Sequence, residues 1–165
     1  MRNSKIKRLM CIVSAATLML VCSFSMAFAV TDSPTHGIEP PTKVTTIKGK
    51  ANGVYDAYSN GAASLVKIYN KSIKTKTVPN TVSKKGKTYK VTTISKYAFK
   101  GCKKLKTIKV KSKYLRTVQK GAFKGLKTKK MTVKVTKKMS KANFKHLKSK
   151  LRKAGFKGKI KRVSM

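Results

Sequence analysis

Val91-Thr92-Thr93-Ile94-Ser95-Lys96-Tyr97-Ala98-Phe99-Lys100-Gly101-Cys102 is followed, at an offset of 24, by Leu115-Arg116-Thr117-Val118-Gln119-Lys120-Gly121-Ala122-Phe123-Lys124-Gly125-Leu126. Val91, Ile94, Ala98, Phe99 and Cys102 each find an apolar residue at that offset, and the string Ala-Phe-Lys-Gly recurs unchanged. A short alternating segment follows each unit: Ile108-Lys109-Val110, then Val133-Lys134-Val135 at an offset of 25. Self-similarity with a period of about 20–29 residues is the mark of a coiled solenoid, in which no single coil buries its apolar face alone and stacked coils share one core.

The spacing assigns each apolar residue a place. Leu105, Ile108 and Val110 point inward from a strand on one side of the coil; Leu115 and Val118 pack from the return limb; Ala122 and Phe123 cross the interior, and Gly125 permits the turn into the next coil. This is the apolar pattern of a leucine-rich repeat. About two full repeats are visible, over roughly residues 91–135. Beyond them Ser140 is a good N-cap, and Phe144, Leu147, Leu151 and Ala154 make one apolar stripe, which predicts an amphipathic capping helix over 141–154. Gly155 suits its C-terminus, and Lys and Arg in the last turn suit the helix dipole. Lys159–Val163 reads as a last edge strand whose charges discourage edge-to-edge pairing.

Upstream, residues 44–91 read as β-rich. Val44–Ile47 is a strand closed by Gly49 and Gly53, Ala63–Tyr69 a second after the turn Asn60-Gly61, and Thr75–Val78 a third. Ser83–Gly86 is a turn before Thr88–Val91. Residues 30–43, with Pro34, Pro40 and Pro41 and almost no large apolar group, make a disordered tether. Residues 1–29 carry a basic start (Arg2, Lys5, Lys7, Arg8), an apolar run from Leu9 to Val21 and the pattern Ala27-Phe28-Ala29; they are expected to be a signal peptide cleaved between Ala29 and Val30. The expected class is therefore α+β. A short leucine-rich repeat solenoid with a β-rich N-terminal part and a C-terminal helix forms one domain over 44–165.

The string Gly86-Lys87-Thr88-Tyr89-Lys90-Val91-Thr92, with Val78-Pro79 before it and Ala98-Phe99-Lys100-Gly101-Cys102-Lys103-Lys104-Leu105 after it, resembles the BspA-type leucine-rich repeat family. The resemblance covers about residues 74–163. It departs from the family's pattern at Lys76, which stands where an inward apolar residue belongs, and at Leu126, which replaces a second Cys. It implies a secreted or surface-displayed bacterial protein that binds other macromolecules without catalysis.

Composition narrows the chemistry. The 165 residues contain 42 Lys plus Arg against 3 Asp plus Glu, a net charge of +39. The acids are Asp32, Glu39 and Asp56, so residues 57–165 hold no carboxylate side chain. Two-carboxylate glycoside hydrolysis and carboxylate-rich Mg²⁺ or Ca²⁺ sites are excluded there. There is no Trp, and His occurs only at positions 36 and 146. No phosphate loop, zinc ligand set or nucleophile elbow is present, so no enzyme activity and no cofactor are expected. After signal removal 38 basic and 3 acidic residues remain, net +35, with Cys102 as the lone cysteine.

Such a chain repels itself unless a polyanion or counterions compensate it. The candidate binding residues are Lys109, Lys111 and Lys134, which alternate with inward residues; Thr107, Thr132 and Thr136 are expected on the same outward face. If the two strands align, Lys109 and Lys134 form a cationic ladder. The expected partners are anionic polymers (teichoic acid, acidic glycans) or proteins, with an anionic membrane surface a further candidate; intracellular nucleic acid is disfavoured by export. Two alternatives stand beside this: an extracellular nucleic-acid-binding protein, and a membrane-active protein working through the basic helix 141–154.

Overall fold

The computed structural model describes residues 40–49 and 51–165. The expected signal peptide and most of the expected tether lie outside the described residues.

Alternating strands build two sheets. The first contains β1 (Lys43–Gly49), β2 (Gly53–Tyr58), β3 (Ala62–Lys67), β5 (Thr81–Lys84) and β6 (Lys87–Ile94), in the order β1-β2-β3-β6-β5. The two-residue β8 (Thr117–Val118) pairs with β6 in parallel. This sheet curls: Lys84 Nζ on β5 donates to Thr45 Oγ1 at 2.7 Å and to the Thr46 carbonyl at 2.8 Å on β1, which joins its two edges. The second sheet is entirely parallel, in the order β10-β9-β7-β4, from β4 (Thr75–Val78), β7 (Thr107–Val110), β9 (Thr132–Thr136) and β10 (Lys159–Val163).

The two sheets are the two sides of one coil. From β7 the chain turns through Lys111–Tyr114, returns along β8, turns again over residues 119–126, and passes a 3₁₀ turn at Thr128–Lys130 into β9. Equivalent residues of successive coils meet. Phe99 N–H donates to the Ala122 carbonyl and Tyr97 N–H to that of Gly121, both at 3.3 Å, and Arg116 N–H donates to Thr92 at 2.9 Å. Inside, the rings of Phe99 and Phe123 stack with centroids 5.2 Å apart and planes 5° apart. Phe156 continues the column at 5.3 Å from Phe123. Every inward residue the spacing assigned, from Leu105 to Phe123, is buried.

After β9 the return limb is helical. Helix α1 (Lys141–Lys153) begins at Ser140, whose side chain accepts from Asn143 N–H at 3.2 Å, and ends at Gly155 with φ +96°. Leu147 and Leu151 are buried in the common core, Phe144 packs against it, and the helix lies beside β8. The chain then returns through Gly158 to β10. A Cβ there would stand 2.1 Å from the Met131 carbonyl oxygen and 2.3 Å from that of Thr128, so only glycine lets the backbones approach.

The structure corrects three expectations. Gly53 opens strand β2 instead of closing β1, and Asn52 (φ 56°) makes the turn between them. Tyr55 and Ala57 on β2 are buried, while Asp56 faces the other way. Ser83 and Lys84 belong to β5, so the turn is only Lys85-Gly86, both at positive φ. The parallel sheet has four strands, since β4 and β10 flank the two read as repeats.

Candidate functional site

The parallel sheet carries the basic face. In Thr107-Ile108-Lys109-Val110 the strand period of two sends Ile108 and Val110 into the core and leaves Lys109 exposed. The same alternation buries Val133 and Val135 and turns Lys134 outward. Register then sets the neighbours: Thr77 pairs with Lys109, Lys109 with Lys134, and Lys134 with Lys161. Lys109 and Lys134 therefore do align, and Lys161 extends them to a row of three. Strands about 4.8 Å apart set the backbone spacing of the row. Two unit charges at that separation repel by roughly 0.9 kcal/mol in water before screening by salt. Lys134, between two neighbours, is the half-buried rung; Lys109 and Lys161 are exposed.

Lys111 lies two residues beyond Lys109, on the turn. Its N–H donates to the Val78 carbonyl at 2.9 Å. Between Lys111 and Lys113 the buried Ser112 donates its hydroxyl to the Val91 carbonyl at 2.7 Å and accepts from Tyr114 N–H at 3.2 Å. That staple holds Ser112 inside and leaves both lysines exposed. Asn80 Oδ1 accepts from Lys113 N–H at 3.2 Å. Lys111, Lys113 and Lys138 share a depression of about 360 Å³ with Asn80, Thr136 and Met165, at the C-terminal ends of the parallel strands. Lys111 thus belongs to a second cluster adjoining the row.

Thr136 is not exposed as the alternation predicts. It is buried, because the strand is ending: its hydroxyl accepts from Lys138 N–H at 3.3 Å and its carbonyl from Met139 N–H at 3.2 Å. Lys161, Lys113 and Lys138 escaped sequence reasoning. The signal for Lys161 was the offset of 27 from Lys134, hidden because the helix lengthens that coil.

Among the described residues no carboxylate forms an ion pair on this face. Asp56 is engaged elsewhere, with Lys43 Nζ at 2.9 Å and the Thr46 hydroxyl at 2.8 Å. It is the one salt bridge among the described residues. His146 is exposed on α1, and among the described residues no three His, Cys, Asp or Glu side chains group to hold a metal. No helix among them is long and apolar enough to cross a membrane.

One lysine points inward. Lys76 on β4 pairs in register with Ile108 and is 1% exposed. Its ammonium donates to the Ala51 carbonyl and lies 5.7 Å from the Tyr55 ring centroid. Burial pulls its pKa down to about 8, with a smaller opposing effect from Cys102. Burial raises the Cys102 thiol, against the pull of Lys71 and Lys76, and raises the Tyr55 phenol, whose hydroxyl has no hydrogen-bond partner among the described residues.

The family model described as the BspA-type leucine-rich repeat region (6 copies) matches residues 68–164, more than half of the chain. No curated protein matches the chain, and no solved structure does.

Proposed function

The chain belongs to the BspA-type leucine-rich repeat family, and from that premise we propose that it is a secreted or surface-associated, non-catalytic binding protein. Its basic sheet engages anionic envelope polymers or acidic glycans. The observation that carries this reading is the in-register row Lys109–Lys134–Lys161 on a repeat surface with no carboxylate in residues 57–165. A polymer with regularly spaced negative charge relieves the mutual repulsion of the row and releases its counterions. The basic start, apolar run and Ala27-Phe28-Ala29 of residues 1–29, which we read as a leader cleaved before Val30, and the surface or secreted setting typical of the family support the location. Helix α1 acts as the cap that covers the end of the coil. Its buried Leu147 and Leu151 spend the apolar stripe on the core, which favours this reading over a membrane-active helix.

The test is affinity for heparin and for wall teichoic acid as salt is raised from about 50 to about 500 mM, a range in which the Debye length shrinks several-fold. Affinity is expected to fall linearly on a double-logarithmic plot, by analogy with counterion release from nucleic acid. Binding that is indifferent to salt overturns the proposal.

A further inference from the structure

Tyr97 stands apart from the parallel sheet, on the turn that follows β6. Its φ is 62°, a left-handed conformation that non-glycine residues rarely adopt. The equivalent residue of the next coil is Gly121, with φ 80°, and the two are hydrogen-bonded neighbours. The repeat therefore calls for glycine at this position, and the first coil holds a tyrosine there instead. The side chain does not repay the strain by entering the core: Tyr97 is 39% exposed. Strain kept at an exposed aromatic is an observation that points toward function.

The surroundings say what kind. Three ammonium groups gather on this one ring: Lys96 at 5.0 Å from its centroid, and Lys100 and Lys124 at 5.9 Å each. Lys100 comes from the same turn and Lys124 from the next coil. The ring's negative face holds like charges together in a region without a carboxylate. Gly121, whose backbone neighbours the Tyr97 ring, and Lys124 also line a depression of about 330 Å³ with Phe123, Ala154, Lys120 and Lys153; Tyr97 itself is not in that lining. A partly exposed aromatic ring with converging cations, next to a part-apolar hollow that shares Lys124, matches a carbohydrate ring that carries negative groups. A bare anion needs only the cations.

We propose that Tyr97, with Lys96, Lys100 and Lys124, forms a second binding site, specific for an anionic pyranose: a sugar ring bearing sulfate or carboxylate. The inference rests on the polyanion reading of the basic surface but not on the lysine row.

Tyr97→Gly tests it, because the exchange removes the ring, restores the residue the backbone prefers and leaves the charge unchanged. The probes are a size-defined heparin oligosaccharide, its desulfated counterpart and inorganic polyphosphate, which has anions and no sugar. The expected result is about tenfold weaker binding of the heparin oligosaccharide, a difference of about 1.4 kcal/mol, with polyphosphate affinity unchanged and the melting temperature equal or higher. The desulfated probe identifies which anionic group is read: retention of the Tyr97 effect with it assigns carboxylate, and loss assigns sulfate. Equal losses for heparin and polyphosphate, or no loss for either, overturn the site while leaving the lysine row standing. Failure of the unaltered protein to bind any probe overturns both readings. Tyr97→Asn, which also tolerates this backbone conformation, is the second variant should Tyr97→Gly disturb folding, and the same outcomes apply.

Discussion

Lys76 is the residue whose placement costs the fold most visibly. It occupies an inward repeat position held by Ile108 and Val133 in the next coils. Its inward place was legible from the alternation Thr75-Lys76-Thr77-Val78. Its partners were not, because Ala51 and Tyr55 are brought to it by a hairpin more than twenty residues away in sequence. Its pKa of about 8 in the folded protein lies below the usual 10.5, so the unfolded chain binds more protons between those values. Stability therefore rises with pH from about 8 upward and loses this contribution below it. Cys102 acts in the opposite sense: its raised pKa costs stability once pH passes the ordinary thiol value of 9. The window in which Lys76 dominates is thus about pH 8 to 9. Melting temperatures across that window should rise for the unaltered protein. In Lys76→Met the rise should vanish, with stability at pH 7 higher by roughly 1–4 kcal/mol, as when buried charge gives way to apolar packing. A Lys76→Met protein with the same pH profile as its parent contradicts the assignment.

Among the elements, the stacked coils were the legible part, because the 24-residue offset carries identical Ala-Phe strings. The third member of the aromatic column was not. Phe156 follows Ala154 with Gly155 between, so the string is broken, and a helix instead of a two-residue strand precedes it. Strand β2 was missed for a different reason. Gly53, Asp56 and Ala57 hide its alternation, although Tyr55 and Ala57 are fully buried. The central position of Phe123 between Phe99 and Phe156 makes it the element-scale test. Phe123→Ala should cost about 3–5 kcal/mol and leave a cavity shared by three coils. Against typical stabilities of about 5–15 kcal/mol that is a large fraction. Thermal or urea unfolding measures it, and an unchanged midpoint would contradict a shared core.

At the largest scale, the curled first sheet and the parallel second sheet of the described residues enclose one hydrophobic core, and among those residues Lys76 is the buried ionic group. The curl was not visible in the sequence, since it needs β3 to pair with β6 across two intervening strands and Lys84 to reach β1. Half of the candidate site was visible. Lys109, Lys111 and Lys134 were named from the alternation, whereas Lys161 required the helical coil to be counted with the others, and Lys113 and Lys138 required the turn held by Ser112 and the end of β9. The resulting surface is basic throughout, so attraction of a polyanion alone would not show that the row matters.

The deciding measurement compares two charge-matched variants for affinity to heparin and to wall teichoic acid at one salt concentration. One carries Lys109→Gln with Lys134→Gln; the other carries Lys145→Gln with Lys148→Gln, both exposed on α1. Each loses two positive charges from the same net total. If the aligned row is the binding face, the first variant binds about tenfold or more weakly, a difference of at least about 1.4 kcal/mol, while the second stays near the parent. Equal losses in the two variants would mean that only the diffuse field of the whole molecule attracts the polymer, and would contradict the account.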